Sequence, residues 1–114
     1  HYRHRAHADP LVLVGLQDIT AHVDFTAVAD AGSAAGLDLL GYTSQAMFLL
    51  GCGLNEIAGA SNPDDVRTHL TLTTEIKKLT LPTEMGELFK VIALGRGIAD
   101  PLQGFALQDR RVRL

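Results

Sequence analysis

Residues 18–25 constrain this chain most, because a polar run carrying Asp18, Thr20, His22 and Asp24 leads straight into an apolar-periodic segment. That transition reads as a helix start. Asp24 is a good N-cap, since its carboxylate can accept a hydrogen bond from an orphan N–H of the first turn. Val23 and Val28 hold the positions of a hydrophobic staple on either side of it. Phe25, Val28, Ala29 and Ala35, with Gly32, form a stripe of helical spacing. Small residues at 31, 32, 34 and 35 suit close packing against another element. Gly36 fits the position just past the helix, where a left-handed backbone favours glycine. The spacing therefore predicts a helix over 24–35.

The chain then alternates. Residues 37–42 are short, apolar and end in an aromatic, the strand of an αβ step. Thr43 or Ser44 can cap a following helix carrying Met47, Phe48, Leu49 and Leu50, which Gly51 and Gly53 interrupt. Residues 54–60 read as a second short helix. Asn62, Pro63, Asp64 and Asp65 spell a helix start, with Asn62 as cap and Pro63 at the first helical position. That helix is expected to run to about Leu79. Val66, His69, Leu70, Thr73, Ile76 and Leu79 lie on one face, and Lys77 and Lys78 favour its C-terminal dipole. Thr71, Thr73 and Thr74 lower its intrinsic propensity, so packing must hold it. Residues 82–86 form one turn or a short helix. Residues 88–94 are the strongest strand, ended by Gly95-Arg96-Gly97. Residues 102–107 read as a last strand, and 108–114 as a charged tail. Upstream, the apolar β-branched run 11–16 reads as a short buried strand.

A sheet of two or three strands cannot cover helices on both faces, so partner strands are expected from another chain or a parent segment. A length of 114 residues bounds the chain to one domain. A net charge of -3 argues against a dedicated nucleic-acid binder. Arg3, Arg5, Arg110, Arg111 and Arg113 cluster at the two ends and read as solvated termini. The single cysteine, Cys52, cannot form an intrachain disulfide and reads as an inert buried or half-buried thiol in a reducing compartment. No apolar run reaches the 18 residues of a membrane span. His1, His4 and His7 are spaced by three, but Arg3 and Arg5 would repel a cation, and no closed shell of ligands is present. The chain does not begin with Met, and it reads as a trimmed or ordered part of something longer.

Chemical motifs are sparse. There is no GxGxxG, no GxxxxGK[ST], no HExxH and no GxSxG. The GxG at 95–97 reads as a strand-ending turn. The one dense polar cluster is Asp18, His22 and Asp24. A histidine there could act as a base near neutral pH, with a carboxylate fixing its tautomer. Alternatively, Asp18, Thr20 and Asp24 lock a loop by bonding backbone amides. His69 reads as a core or boundary histidine, and Gln45 as capping support or solvent-exposed.

The chain resembles the MidA-like family of S-adenosyl-L-methionine-dependent methyltransferases, which includes a mitochondrial complex I assembly factor. The resemblance rests on Tyr2-Arg3-His4-Arg5, Ala8-Asp9-Pro10-Leu11, residues 15–25, Ala35-Gly36-Leu37, residues 40–45 with 48–50, and residues 85–94. It covers nearly all of 2–97. The run 11–14 departs from the more polar, loop-like stretch of the family.

The resemblance implies an α/β fold: residues 1–114 as the C-terminal part of a Rossmann-like class I methyltransferase, with an incomplete sheet. Residues 24–42 would supply the crossover helix and sixth strand, 44–79 a helical insertion, and 88–107 the terminal strands, with an antiparallel seventh at 88–94. S-adenosyl-L-methionine would be bound by upstream residues, so the piece alone would be inactive. The family implies methyl transfer to a protein arginine, with a respiratory complex I subunit as one such partner. Carboxylates near the guanidinium would orient it and accept its developing acidity. Asp18 is the first candidate for that role and His22 the second. The expected location is the cytoplasm, or the mitochondrial matrix in a eukaryote. The alternative is a non-catalytic interaction or assembly module using 44–79. An exposed sheet edge would also favour a homodimer.

Overall fold

The computed structural model describes residues 3, 5–60, 62 and 64–114. His1, Tyr2, His4, Ser61 and Pro63 lie outside that set, and with them the proline expected at a helix start and two members of the histidine series.

Helix α1 (Phe25–Ala34) forms where the spacing predicts. The Asp24 carboxylate accepts from the Ala27 N–H at 3.0 Å. At the other end Gly36 takes φ +80°. The amides of Gly36 and Leu37 then return to the carbonyls of Ser33 and Gly32, closing a Schellman motif. Arg96 adds a guanidinium donor to the Ala35 carbonyl at 3.0 Å. Gly32 is buried against Leu94 of the sheet, 2.9 Å from where a Cβ would stand, which is the close packing its small side chain allows.

Strand β1 (Asp38–Ser44) follows and pairs antiparallel with β2 (Lys90–Gly95). Leu39 faces Leu94, and the register slips before Gly41 faces Ala93. Among the described residues these two strands are the whole sheet. Ser44 ends β1 and caps α2 (Gln45–Gly51), accepting from the Met47 N–H. Gly53 turns the chain with φ +97° into α3 (Leu54–Gly59).

Helix α4 (Val66–Thr80) starts later than expected, because Asp65 rather than Asn62 caps it. One Asp65 carboxylate receives both the N–H and the hydroxyl of Thr68, at 3.1 and 2.8 Å. These bonds hold the Asp65 carboxyl below its ordinary pKa. Asn62 instead accepts from the Asp64 N–H and forms a turn leading in. Short helix α5 (Met85–Leu88) takes Leu88 out of the expected strand.

Two further expectations are corrected. Residues 11–16 are not a buried strand but a series of turns, with Leu11 80% and Val14 75% exposed. Leu13 at φ +53° and Gly15 at φ +82° both adopt left-handed backbone, which an extended strand excludes. Residues 102–107 are not a strand either. Gln103–Phe105 is a 3-10 turn whose Gly104 backs onto the Phe48 ring and whose Phe105 ring lies over Gly41. The two rings meet edge-on at 5.4 Å. Phe105 is the one large apolar side chain classed as buried among the described residues.

Candidate functional site

The sheet pair, α5 and the loop before α1 enclose a cleft of about 820 Å³. One wall is the loop 20–23 with Phe25 at the head of α1. The opposite wall is Leu88, Phe89 and Lys90, at the junction of α5 and β2. Tyr42 of β1 lies between them. The lining is mostly apolar, with His22, Tyr42 and Lys90 as its strongest polar groups. Phe25 packs against Tyr42 with ring centroids 5.3 Å apart, which ties the helix start to the sheet. Val23, Leu88 and Phe89 are exposed at its mouth.

The expected cluster is divided by the fold. Asp24 is committed to capping α1. His22 lines the large cleft. Asp18 lines a separate recess of about 300 Å³ with His7, Asp9 and Gln17. Thr20 borders both. In that recess the Gln17 amide donates to the carbonyls of Asp9 and Pro10. This segment is tied at Gln17 and at Asp9, whose carboxylate accepts from the Leu11 N–H, two residues that the loop-locking reading did not name.

Lys90 and Tyr42 were not singled out from sequence. Lys90 sits in a charged group that joins residues 87–90 to Arg110 near the end of the chain. Its ammonium donates to the carbonyl and carboxylate of Glu87. Arg110 grips the same carboxylate with two guanidinium nitrogens, at 2.6 and 3.2 Å. The Arg110 hydrogen bonds hold the Glu87 carboxyl below its ordinary pKa, with the Lys90 charge adding to the effect. The same pairing pushes Arg110 up. The Arg110 side chain is only 17% exposed, so Arg110 is not the solvated charge expected, whereas Arg111 and Arg113 are exposed. Arg111 is likewise engaged, with Asp109 at 2.8 Å and the Leu39 carbonyl at 3.1 Å.

Other expected residues fall elsewhere. His69 and Cys52 are exposed rather than buried, because the first turns of α4 and the Gly51–Gly53 corner lie on the surface. Gln45 is half-buried and donates to the Leu79 carbonyl at 2.9 Å, securing the end of α4. Among the described residues no group of three His, Cys, Asp or Glu could hold a metal ion. Nor is any helix there long and apolar enough to cross a membrane.

Residues 1–43, which include Asp18 and His22, match a family described as proposed S-adenosyl-L-methionine-dependent methyltransferases. Two solved structures from Burkholderia thailandensis match the whole chain. One is a COG1565 superfamily member, a proposed methyl transferase bound to S-adenosyl-homocysteine; it is 54% identical with a TM-score of 0.94. The chain is related to the COG1565 superfamily. The second structure, a native form of an uncharacterised COG1565 superfamily protein, gives the same identity and TM-score. All of this chain is covered in each case, and 30% of the COG1565 protein, so the chain spans about 30% of the length of these relatives. A comparison with curated proteins finds no match. The small open antiparallel sheet with its helical region corresponds to part of a Rossmann-like methyltransferase fold.

The cofactor of such a fold can be tested against the residues present. The cleft lining contains no carboxylate to hold ribose hydroxyls and no glycine-rich turn opening a helix. These residues do not fit a cofactor site by themselves.

Proposed function

We propose that this chain is the acceptor-side part of an S-adenosyl-L-methionine-dependent methyltransferase. One observation carries the reading: 54% identity over the entire chain to a protein bound to S-adenosyl-homocysteine. The cofactor would be held by residues outside this chain, and the cleft beside His22 would receive the methyl acceptor. The acceptor proposed is an arginine side chain of a protein, with a respiratory complex I subunit as the first to try. The apolar walls suit its aliphatic stem, and Tyr42 offers a ring face to a guanidinium. A guanidinium is protonated in isolation, and its nitrogen must lose a proton as it takes the methyl group from the sulfonium, so the site needs a group to receive that proton. His22 faces the cleft and suits that role. Asp18, across Thr20, would orient the acceptor backbone or side chain from the adjoining recess. Positioning supplies most of the rate in such a transfer.

Calorimetry of the full-length protein with S-adenosyl-L-methionine tests the class. Transfer of a labelled methyl group to arginine peptides tests the acceptor. His22→Gln should lower turnover at least tenfold while leaving cofactor affinity within twofold. Unchanged turnover would remove His22 from the site.

A second reading, an interaction module built on 44–79, draws on the exposure of Ile57, Val66 and Leu70 along α3 and α4. If the full-length protein fails to bind the cofactor, that reading takes precedence.

A further inference from the structure

We infer that Arg110 is a positioning residue that ties Tyr42, between the walls of the cleft, to the wall at Leu88, Phe89 and Lys90. The inference rests on the proposed reading only in taking that cleft as the acceptor site. The contacts of Arg110 run in two directions. Its backbone N–H donates to the Tyr42 carbonyl at 2.6 Å. Its guanidinium grips Glu87, the residue immediately before the wall residues Leu88, Phe89 and Lys90. Its Nε donates to Gln108 Oε1 at 2.7 Å, and the same oxygen accepts from the buried Thr43 hydroxyl at 3.2 Å. Asp109 completes the strap by accepting from the Tyr42 N–H at 3.3 Å. Residues 108–110 therefore clamp the free edge of β1 and the end of α5 together, and both elements line the cleft.

Lys90 gives the clamp a chemical consequence. Glu87 is shared between Arg110 and Lys90. A planar two-pronged grip fixes the carboxylate plane, and the Lys90 ammonium is placed by that plane. Lysine at position 110 would supply charge without the fork.

Peptide-resolved hydrogen exchange on the full-length protein tests this, comparing wild type with Arg110→Gln, Arg110→Lys and Glu87→Gln. Arg110→Gln should speed exchange at least tenfold in both 38–45 and 86–92, with 25–34 unchanged. Arg110→Lys should restore less than half of that protection. Glu87→Gln should open 86–92 but not 38–45, because it leaves the Arg110 Nε bond to Gln108, and through it the link to Thr43, in place. Faster exchange confined to 102–114 would mean the tail is only a structural cover, and would overturn the inference. If Arg110→Gln does not fold, Glu87→Gln decides: an unchanged 86–92 overturns it. Cofactor binding measured on the same samples separates the two readings, since its absence in wild type would sink the methyltransferase assignment while leaving the exchange result intact.

Discussion

At the scale of single residues, two glycines and one carboxylate carry the sharpest expectations. A Cβ on Gly41 would run into the Phe105 ring, and one on Gly86 into the Thr80 carbonyl. A ring can shift but a helix backbone cannot. Gly41→Ala is expected to cost about 1–3 kcal/mol, and Gly86→Ala to cost more, measured as paired thermal or urea unfolding shifts. Glu87 sets a pH dependence. Its carboxyl is held below the ordinary 4.5 by Arg110 and Lys90. Its contribution is therefore complete above that ordinary value and is lost as pH falls through the lower folded value. The side chain is 46% exposed, so screening limits the effect at pH 7 to about 1 kcal/mol or less. Glu87→Gln should flatten the acid limb of stability below about pH 4.5. An identical acid limb in the variant would show that the ion pair contributes nothing.

At the scale of elements, most caps and the strands at 37–42 and 88–94 were legible, and the apolar runs 11–16 and 102–107 were not. Asp24, Ser44 and Gly36 act as read, because each signal and its partner lie within one helical turn. Replacing Asp24 with Ala should cost about 1 kcal/mol, checked by unfolding alongside Asp24→Asn, which should keep most of the stability. The run 11–16 misled because β-branched composition states a preference for burial and extension, not where a covering surface lies. Its amides should exchange rapidly; strong protection there would restore the strand. β1 and β2 pair antiparallel, the orientation expected for 88–94. The segment 102–107 had the composition of a strand, but two close approaches of ring to glycine, Phe48 on Gly104 and Phe105 on Gly41, turn it into a 3-10 corner. Neither approach has a local sequence signal, since the partners stand more than 50 positions apart.

At the scale of the molecule, the chain is open. Its radius of gyration is 18.1 Å, with extents of 50 × 46 × 21 Å. A compact domain of this length would have a radius near 13 Å. Leu11, Val14, Ile19, Leu88 and Val112 are exposed, and β2 has no second partner among the described residues. A chain with so little core is marginal alone. The 114 residues in isolation are therefore expected to associate through the β2 edge. Light scattering checks this, and a monodisperse monomer that unfolds cooperatively would contradict it.

The sequence by itself determined both ends of α1, the cap of α2, the two strands that pair, and the superfamily relation, because these reside in short runs whose physics is complete within a few residues. Only the tertiary structure decided that Asp18 and His22 face different cavities, that Lys90 and Tyr42 join His22, and that Arg110 is a clamp rather than a solvated tail. Each of those depends on which residues meet across 20 to 70 positions of chain, and such meetings are settled by packing and charge pairing in three dimensions.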